Sequence, residues 1–302
     1  MSKIKTVINR PKSLFMKPLI MTSKWLWHDT SDLYIKLMFL AKEGKWLDLR
    51  DPQTFNEKLN WLKNHYRKPV FTQMVDKYDV KQLVAQKLEG DRYVVPCYGV
   101  WDRFEDIDFN NLPESFVLKT TNDSSGTIVV KDKSKMDIEA IKNRLNRSLK
   151  LNYYYSFREW PYKNVKPRII ADKLLDDHTG DVLRDYKWWC FDGIPTYMYL
   201  TVKNEDIYEN FYDMDFKPVN INHRFKRFVP EFDKPECFEE MKDLASKLSK
   251  GIPFVRVDFF QVNGKVWFGE FTFYDWGAMR RFKTDEQDFE LGKLINLEEL
   301  QK

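Results

Sequence analysis

The sequence predicts an α+β protein, and three observations carry that expectation. A hairpin is written into 252–274 (IPFVRVDFFQVNGKVWFGEFTFY), where two β-branched and aromatic runs flank Asn263-Gly264, a strong hairpin signal. A meander of antiparallel strands runs from about 167 to 202, with turns at 177–181 and at Asp192-Gly193. Helical spacing of apolar residues marks 31–43, 54–62, 73–88, 136–151 and 236–250 instead.

Composition bounds the rest. A chain of 302 residues with 43% hydrophobic and 16% aromatic content can bury a large core, as one big domain or as two to three lobes. A formal charge of +4 against 32% charged residues gives no reason to expect nucleic acid as a partner. Cys97, Cys190 and Cys237 are far apart, odd in number and without a CxxC spacing. That fits a reducing compartment and argues against a zinc site or a disulfide scaffold. No apolar run approaches the roughly 20 residues of a membrane span, and no signal-peptide core with a cleavage site is present, so a cytoplasmic location is expected.

In chain order, residues 1–27 carry six basic side chains and no acid, interleaved with Phe15, Met16, Leu19, Ile20, Met21, Trp25, Leu26 and Trp27. That mixture suits an anionic membrane surface, where each cation adds about 1 kcal/mol, and equally an arm packed on its own domain. Residues 31–43 read as a helix. Asp51-Pro52 marks a boundary, after which Thr54 with Glu57 three positions on has the look of a capped helix start, running through Leu62. Residues 73–88 read as a further helix, with Asp76-Lys77 a solvated pair at its start. Tyr93 to Tyr98 and Val100 then read as short strands.

A strand ends in Lys119, and Thr120 to Gly126 form a small polar loop before a returning strand from Thr127 to Lys131. Backbone N–H groups of such a loop can close over phosphates, to which Lys119 would offer a point charge. An ordinary β-turn is the alternative, because the GxxxxGK[ST] spacing is missing and no helix follows. The aromatic run 153–162 around Arg158 reads as a loop or lid, able to stack on a sugar or base or to pack between lobes. Lys187 sits among apolar and aromatic residues; pointing inwards it needs an anion, and pointing outwards it needs none. The segment 203–235 reads as irregular, and its cluster from His223 to Arg227 could hold an acidic substrate or be a solvated loop. Gly251 closes the helix over 236–250, and the tail with Asp285-Glu286 and Leu291 to Leu300 is expected to pack as a final helix.

Asp258 and Glu270 stand one on each strand of the hairpin. With a two-residue turn at Asn263-Gly264, paired residue numbers sum to about 527, so Asp258 lies almost opposite Gly269 and beside Glu270. Two carboxylates that close in an apolar sheet repel and lose hydration unless a positive charge sits between them. A divalent cation supplies it, and oxygen-only ligands favour magnesium with phosphates completing its shell. Arg256 or Lys265 could supply it as well, and a solvent-facing side chain would remove the need.

The succession FNEKLNWLK, VDKYDVKQLV, FVLKTTNDSSG, REWPYKNVKPRIIADKLL, DYKWWCFDG and VRVDFF…FGEFTFY resembles the TupA-like branch of the ATP-grasp superfamily, over about residues 50–295. The resemblance implies two α+β lobes clamping ATP. The corresponding division is a basic aromatic arm and helix at 1–48, a small N-terminal α/β lobe at 49–112, a lid subdomain at 113–165 and a C-terminal lobe with the metal-binding hairpin at 166–302. It implies that Lys119 touches the α/β phosphates and that Asn122, Ser124, Ser125 and Gly126 belong to the loop over them. Asp172, Lys173, Leu174 and Leu175 would form the hinge that holds adenine. Lys187 and Arg256 would face the phosphates or an acyl phosphate, and Asp258, Glu270 and Thr272 would bind Mg2+. Three positions depart from the pattern. Similar proteins often carry His at Asn122 and a second Gly at Ser125, Glu is usual at Asp172, and Asn is usual at Thr272, which is a poorer metal ligand.

The chemistry so implied is activation of a carboxylate by ATP to an acyl phosphate, then capture by an amine. Similar bacterial proteins are associated with teichuronopeptide, capsule and other surface-polysaccharide assembly. The expected reaction therefore joins an amino acid or amine to a uronic-acid carboxylate of such a glycan or its precursor. Arg158, His223, Arg224 and Arg227 are the candidate substrate contacts. A glycosyltransferase or sugar kinase of the same pathway is the alternative enzyme, although Asp213-Met214-Asp215 has the letters of a DxD motif without its setting. A non-catalytic scaffold using residues 1–27 at the inner face of the membrane is the third reading.

Overall fold

The computed structural model describes residues 12–300, save 124–125, 177–182, 204–205, 230 and 299. Ser124, Ser125 and the turn expected at 177–181 therefore lie outside the described residues, as do residues 1–11.

Two helices, α1 (Lys12–Thr22) and α2 (Asp32–Glu43), make up the arm. Ser31 caps α2 by accepting the Tyr34 N–H, and Gly44 ends it in the left-handed conformation. The expected capping box opens α3 (Phe55–His65): Thr54 accepts the Glu57 N–H, and the Glu57 carboxylate accepts that of Thr54. The helix expected over 73–88 is instead two, α4 (Val70–Val75) and α5 (Asp79–Lys87). The break has a local cause, because Asp76 Oδ1 accepts the N–H groups of Tyr78 and Asp79 and so offers the chain a turn in place of a helix. Asp76 is only 1% exposed and its Oδ2 lies 2.7 Å from Arg168 Nη2. The solvated Asp76-Lys77 pair expected from sequence is thus corrected: this acid is buried and paired across the fold.

The strand expected from Tyr93 begins only at Cys97. β1 (Cys97–Trp101), β2 (Phe116–Thr120), β3 (Ile128–Val130) and, after helices α6 (Ile138–Leu149) and α7 (Tyr154–Phe157), β4 (Ile169–Lys173) form an antiparallel sheet in the order β1-β4-β2-β3. Phe116, Leu118, Ile169 and Ala171 pack from it onto Ile141 and Leu145 of α6, giving a small core.

The second sheet is larger. β5 (Asp185–Phe191), β6 (Ile194–Lys203), β7 (Ile207–Tyr212), β8 (Pro218–Val219) and, after helix α8 (Phe238–Ser249), β9 (Phe254–Val262) and β10 (Lys265–Thr272) pair antiparallel in the order β10-β9-β5-β6-β7-β8. The segment expected to be irregular at 203–235 therefore contains two strands. Glu209 and Asn210 break the apolar pattern of β7, yet both are buried, because Glu209 meets His223 and Trp276 while Asn210 bonds Phe228 O. One face of β5 sends Trp188 against Phe238 of α8, and the other stacks Trp189 on Phe55 of α3. The final helix is α9 (Asp285–Gly292), shorter than the tail suggested. At its end Gly292 lies so close to Gln53 O that a Cβ would collide with it. No helix among the described residues is long and apolar enough to cross a membrane.

Candidate active site

A cavity of about 820 Å³ opens between the two sheets. Val117 and Lys119 of β2, Val129 of β3 with Lys131 just after it, and Asp172 and Lys173 of β4 line it from the smaller sheet. Asp185, Asp258, Phe260, Phe268, Gly269 and Glu270 line it from the larger one. Val95, Leu175, Leu183 and Phe260 cluster together in this lining, so part of the wall is apolar. The backbone explains why Leu174 and Leu175 reach it. Strand pairing stops at Lys173, whose N–H donates to Pro96 O at 2.8 Å, and the next two residues run on past the last rung.

The charged wall begins at Asp172, which is buried between two lysines. Lys119 Nζ lies 3.1 Å from its Oδ2 and Lys81 Nζ 3.1 Å from its Oδ1. Lys81 also donates to Val95 O at 2.8 Å, and Lys77 donates to Asp123 O. Burial pushes both Lys77 and Lys81 below the ordinary lysine range. Both line the cavity, and sequence reasoning missed them. Their four-residue spacing inside VDKYDVKQLV was the available signal, hidden by an expectation of one solvated helix face.

The loop after β2 is tied down at both described ends. Asn122 Nδ2 donates to Ser148 O at 3.1 Å and to Leu151 O at 2.7 Å, anchoring the loop to the end of α6; Asn122 does not line the cavity. Asp123 accepts from the Gly126 N–H at 2.8 Å, from Thr120 Oγ1 at 3.0 Å and from Ser148 Oγ. Burial raises the Asp123 carboxyl, but these donors outweigh it and hold it below its ordinary value. A Cβ on Gly126 would collide with Thr120 Oγ1 and Ser148 Oγ, which is why glycine stands there.

On the larger sheet, Tyr199, Lys187 and Asp258 are successive cross-strand partners. The hairpin keeps the expected register from Lys265↔Val262 to Phe268↔Phe259, then shifts, and Phe271 pairs with Val257. One extra residue in β10 means that Gly269 and Glu270 together face Asp258, a β-bulge at the point where the two carboxylates meet. A Cβ on Gly269 would stand 3.0 Å from Asp258 O, a tight contact with backbone that glycine avoids.

Arg256 sits between the carboxylates. Its Nε donates to Asp258 Oδ1 at 2.7 Å, and its Nη2 to Asp258 Oδ2 at 2.6 Å and Glu270 Oε1 at 3.1 Å. Its Nη1 donates to Asp275 Oδ1 at 2.6 Å and to Tyr199 Oη at 3.2 Å. Burial pushes the Asp258 carboxyl up, against the pull of this guanidinium. Lys265, the other candidate cation, instead lies over the Trp267 ring at 3.9 Å. Glu270 keeps a side chain 46% exposed and lines the cavity. Thr272 Oγ1 reaches Glu270 Oε1 at 3.4 Å and does not line it. Lys187 pairs with Asp185; neither Lys187 nor Arg256 is part of the cavity wall.

Asp275 is a third residue that sequence reasoning missed. It is buried at the start of a turn in which Trp276, Gly277 and Ala278 take φ of 50°, 68° and 47°, a left-handed run costly for the two non-glycine residues. Lys63 donates to Gly277 O at 2.5 Å and Asn60 to Ala278 O at 2.7 Å, so α3 holds the turn that aims Asp275 at Arg256.

The candidate substrate residues lie elsewhere. Arg158 is 2% exposed, donating to Ser23 O at 2.6 Å with its guanidinium 4.7 Å from the Tyr34 ring and 4.9 Å from that of Tyr154. His223 is buried against Phe282 and bonded to Glu209 at 3.1 Å, Arg224 donates to Phe282 O, and Arg227 pairs with Glu231. None of the four lines the cavity. Asp213 and Asp215 belong to an exposed turn, where Asp213 caps the N–H groups of Asp215 and Lys217.

Among the described residues no group of three or more His, Cys, Asp or Glu side chains could hold a metal by itself. Two carboxylates at the wall of a lysine-lined cavity fit an ion that arrives with phosphate oxygens, which is the ordinary binding mode of Mg2+.

No curated protein matches the sequence. Solved structures that match include the D-alanine–D-alanine ligase of Helicobacter pylori, at 15% identity over 74% of this chain and 61% of that one, with a TM-score of 0.39. Another is the ATP-grasp ligase PsnB complexed with a minimal precursor, at 14% identity over 78% and 63% with a TM-score of 0.43. A third is the ADP complex of N5-carboxyaminoimidazole ribonucleotide synthetase, at 14% over 80% and 57%, TM-score 0.43. The chain spans 54–61% of the length of three D-alanine–D-alanine ligase chains that it matches. A family profile described as TupA-like ATPgrasp matches residues 57–296, most of the chain, and the protein belongs to that family.

Proposed function

We propose that this protein is an ATP-dependent carboxylate–amine ligase. One observation carries the reading: in a chain of the ATP-grasp family, Asp258 and Glu270 face Lys77, Lys81 and Lys119 across a single cavity with a partly apolar wall. ATP would lie with adenine against Leu174 and Leu175 and with its phosphates toward the lysines. Asp258 and Glu270 would hold Mg2+, which supplies charge stabilisation to the transferring phosphoryl group. A substrate carboxylate oxygen attacks the γ-phosphorus and ADP leaves, giving an acyl phosphate. An amine nitrogen then attacks the acyl carbon, phosphate leaves, and the amine proton passes to solvent.

The chain's own contribution is placement and charge. Lys119 and Lys81 are cations pointed at one carboxylate, so phosphate oxygens compete with Asp172 for donors already in position. Arg256, fixed by Asp275 and Tyr199, spends its remaining N–H groups on Asp258 and Glu270 and so keeps both carboxylates oriented toward the cavity. For substrates, the family resemblance supports a uronic-acid carboxylate of a bacterial surface glycan or precursor and an amino acid or amine, in the cytoplasm where ATP is supplied.

The test is ADP release with uronic acids and an amino-acid panel, with amide formation read by mass spectrometry. The ligase reading expects no ADP without a carboxylate, at most one ADP per active site with the carboxylate alone, and sustained ADP release only when an amine is present as well. Hydrolysis of a UDP-sugar without any need for ATP would overturn it in favour of glycosyl transfer.

A further inference from the structure

The N-terminal arm has two faces, and the body of the protein uses one. Met16, Leu19, Ile20 and Trp27 pack against the small core of α2. On the other face Met21, Trp25 and Leu26 are 77%, 79% and 75% exposed, and Lys17 and Lys24 are exposed beside them. Three large apolar side chains within six residues form a patch rather than scattered surface, and such patches mark interaction sites.

The patch is held in place. Leu26 N–H donates to Thr22 O at 3.0 Å, and Thr22 Oγ1 to Pro18 O at 2.8 Å, closing the turn after α1. Buried Arg158 donates to Ser23 O, while Tyr154 Oη and Lys163 Nζ reach the Asp29 carboxylate at 2.7 and 2.6 Å. The backbone beneath Trp25 and Leu26 is therefore pinned to the body from the aromatic segment 153–163.

Charge selects the occupant. Residues 1–27 contain six basic side chains and no acid, and Lys24 Nζ lies 5.6 Å from the Trp25 ring centre. A protein partner is usually registered by charges of both signs, whereas an aromatic and aliphatic patch accompanied by exposed Lys17 and Lys24 in a segment without an acid matches the headgroup boundary of an anionic bilayer. We propose that this face docks on an anionic lipid surface, with Met21, Trp25 and Leu26 entering the headgroup boundary and Lys17 and Lys24 meeting lipid phosphates. The inference is independent of the reaction in the cavity.

The test is co-sedimentation of the full chain with vesicles of phosphatidylcholine alone and of phosphatidylcholine with about a third phosphatidylserine, at low and at physiological salt. Binding is expected to the anionic vesicles and to fall with salt. Lys17→Gln and Lys24→Gln each lower the partition about fivefold. Trp25→Ser with Leu26→Ser lowers it on the order of tenfold or more, with unchanged circular dichroism because both side chains are already in solvent. Quenching by acyl-brominated lipid is expected in the wild type and reduced in Trp25→Phe. Equal binding to both vesicle types, binding indifferent to these substitutions, or no binding to anionic vesicles at low salt would overturn the proposal. So would light scattering that shows a dimer dissolved by the Trp25/Leu26 double substitution without any vesicle binding, which would make the face a contact between copies.

Discussion

The two sheets that face each other across the cavity are held to different degrees. The larger one is packed on both faces, by α8 through Trp188–Phe238 and by α3 through Phe55–Trp189, and its charged residues are locked into each other. Arg256 alone is bonded to Asp258, Glu270, Asp275 and Tyr199. The smaller sheet rests mainly on α6 through a small apolar core, and its Lys119 is held by one carboxylate, Asp172, which also pairs with Lys81 of α5. The difference teaches how the site divides its work. The carboxylates that would hold a metal sit in the more heavily packed sheet, whereas Lys119 stands on the sheet with the smaller apolar core, which is expected to open at lower free energy. Lys77 and Lys81 come from the α4–α5 region, whose Val75, Val80 and Val84 belong to the larger core.

Substitutions can break or sharpen that contrast. The largest stability effect is expected for Asp275→Ala, which leaves Arg256 short of a buried partner; loss of one member of a buried ion pair costs about 3–5 kcal/mol, read by chemical denaturation. Glu270→Gln should leave stability within about 1 kcal/mol, since its pair with Arg256 is half exposed. Its Mg2+-dependent activity should nevertheless fall by more than the roughly 10–100-fold typical of residues that only support metal ligands. Lys119→Met should raise the ATP concentration needed for half-saturation about tenfold, the value of one charge-assisted hydrogen bond, with little change in turnover. Thr272→Val should act more weakly still, because Thr272 touches Glu270 rather than the cavity.

The smallest effect is a pH dependence confined to the smaller sheet. The Asp123 carboxyl lies below its ordinary value of 3.8 in the folded protein. Its contribution is therefore fully present above that pH and is lost as pH falls through the lowered folded value. Hydrogen exchange should show β2 and the end of α6 losing protection on acidification before β9 does, and Asp123→Asn should remove the difference. Simultaneous loss in both sheets would remove the contrast itself.

Much of this was legible in the sequence, and the failures have physical causes. Asn263-Gly264 fixed the hairpin and its register as far as Phe268, because turn chemistry acts locally. The bulge at Gly269 was not legible, since it depends on how close Asp258 O comes to that glycine. The Thr54–Glu57 capping box was read correctly, but Asp76 was not, because the Arg168 that justifies its burial is ninety-two residues away. Arg256, one of the alternatives for neutralising Asp258, does so here. Asp275 was missed because its role depends on long-range contacts that no short pattern contains, and Lys77 and Lys81 because their four-residue spacing reads equally as a solvated helix face. Arg158 and His223 attracted attention as polar residues among aromatics, and the structure buries both with partners of their own.

The most direct measurement is a thermal-shift titration of the wild type and Glu270→Gln with ATP, UDP and UDP-sugars, each with and without Mg2+. A ligand at 100 times its dissociation constant adds about 2.7 kcal/mol to a folded state it alone binds. The account predicts that ATP with Mg2+ stabilises the wild type by that order and that Glu270→Gln abolishes the Mg2+-dependent part. Stabilisation by UDP-sugars alone, or by ATP with Mg2+ equally in both proteins, would contradict it.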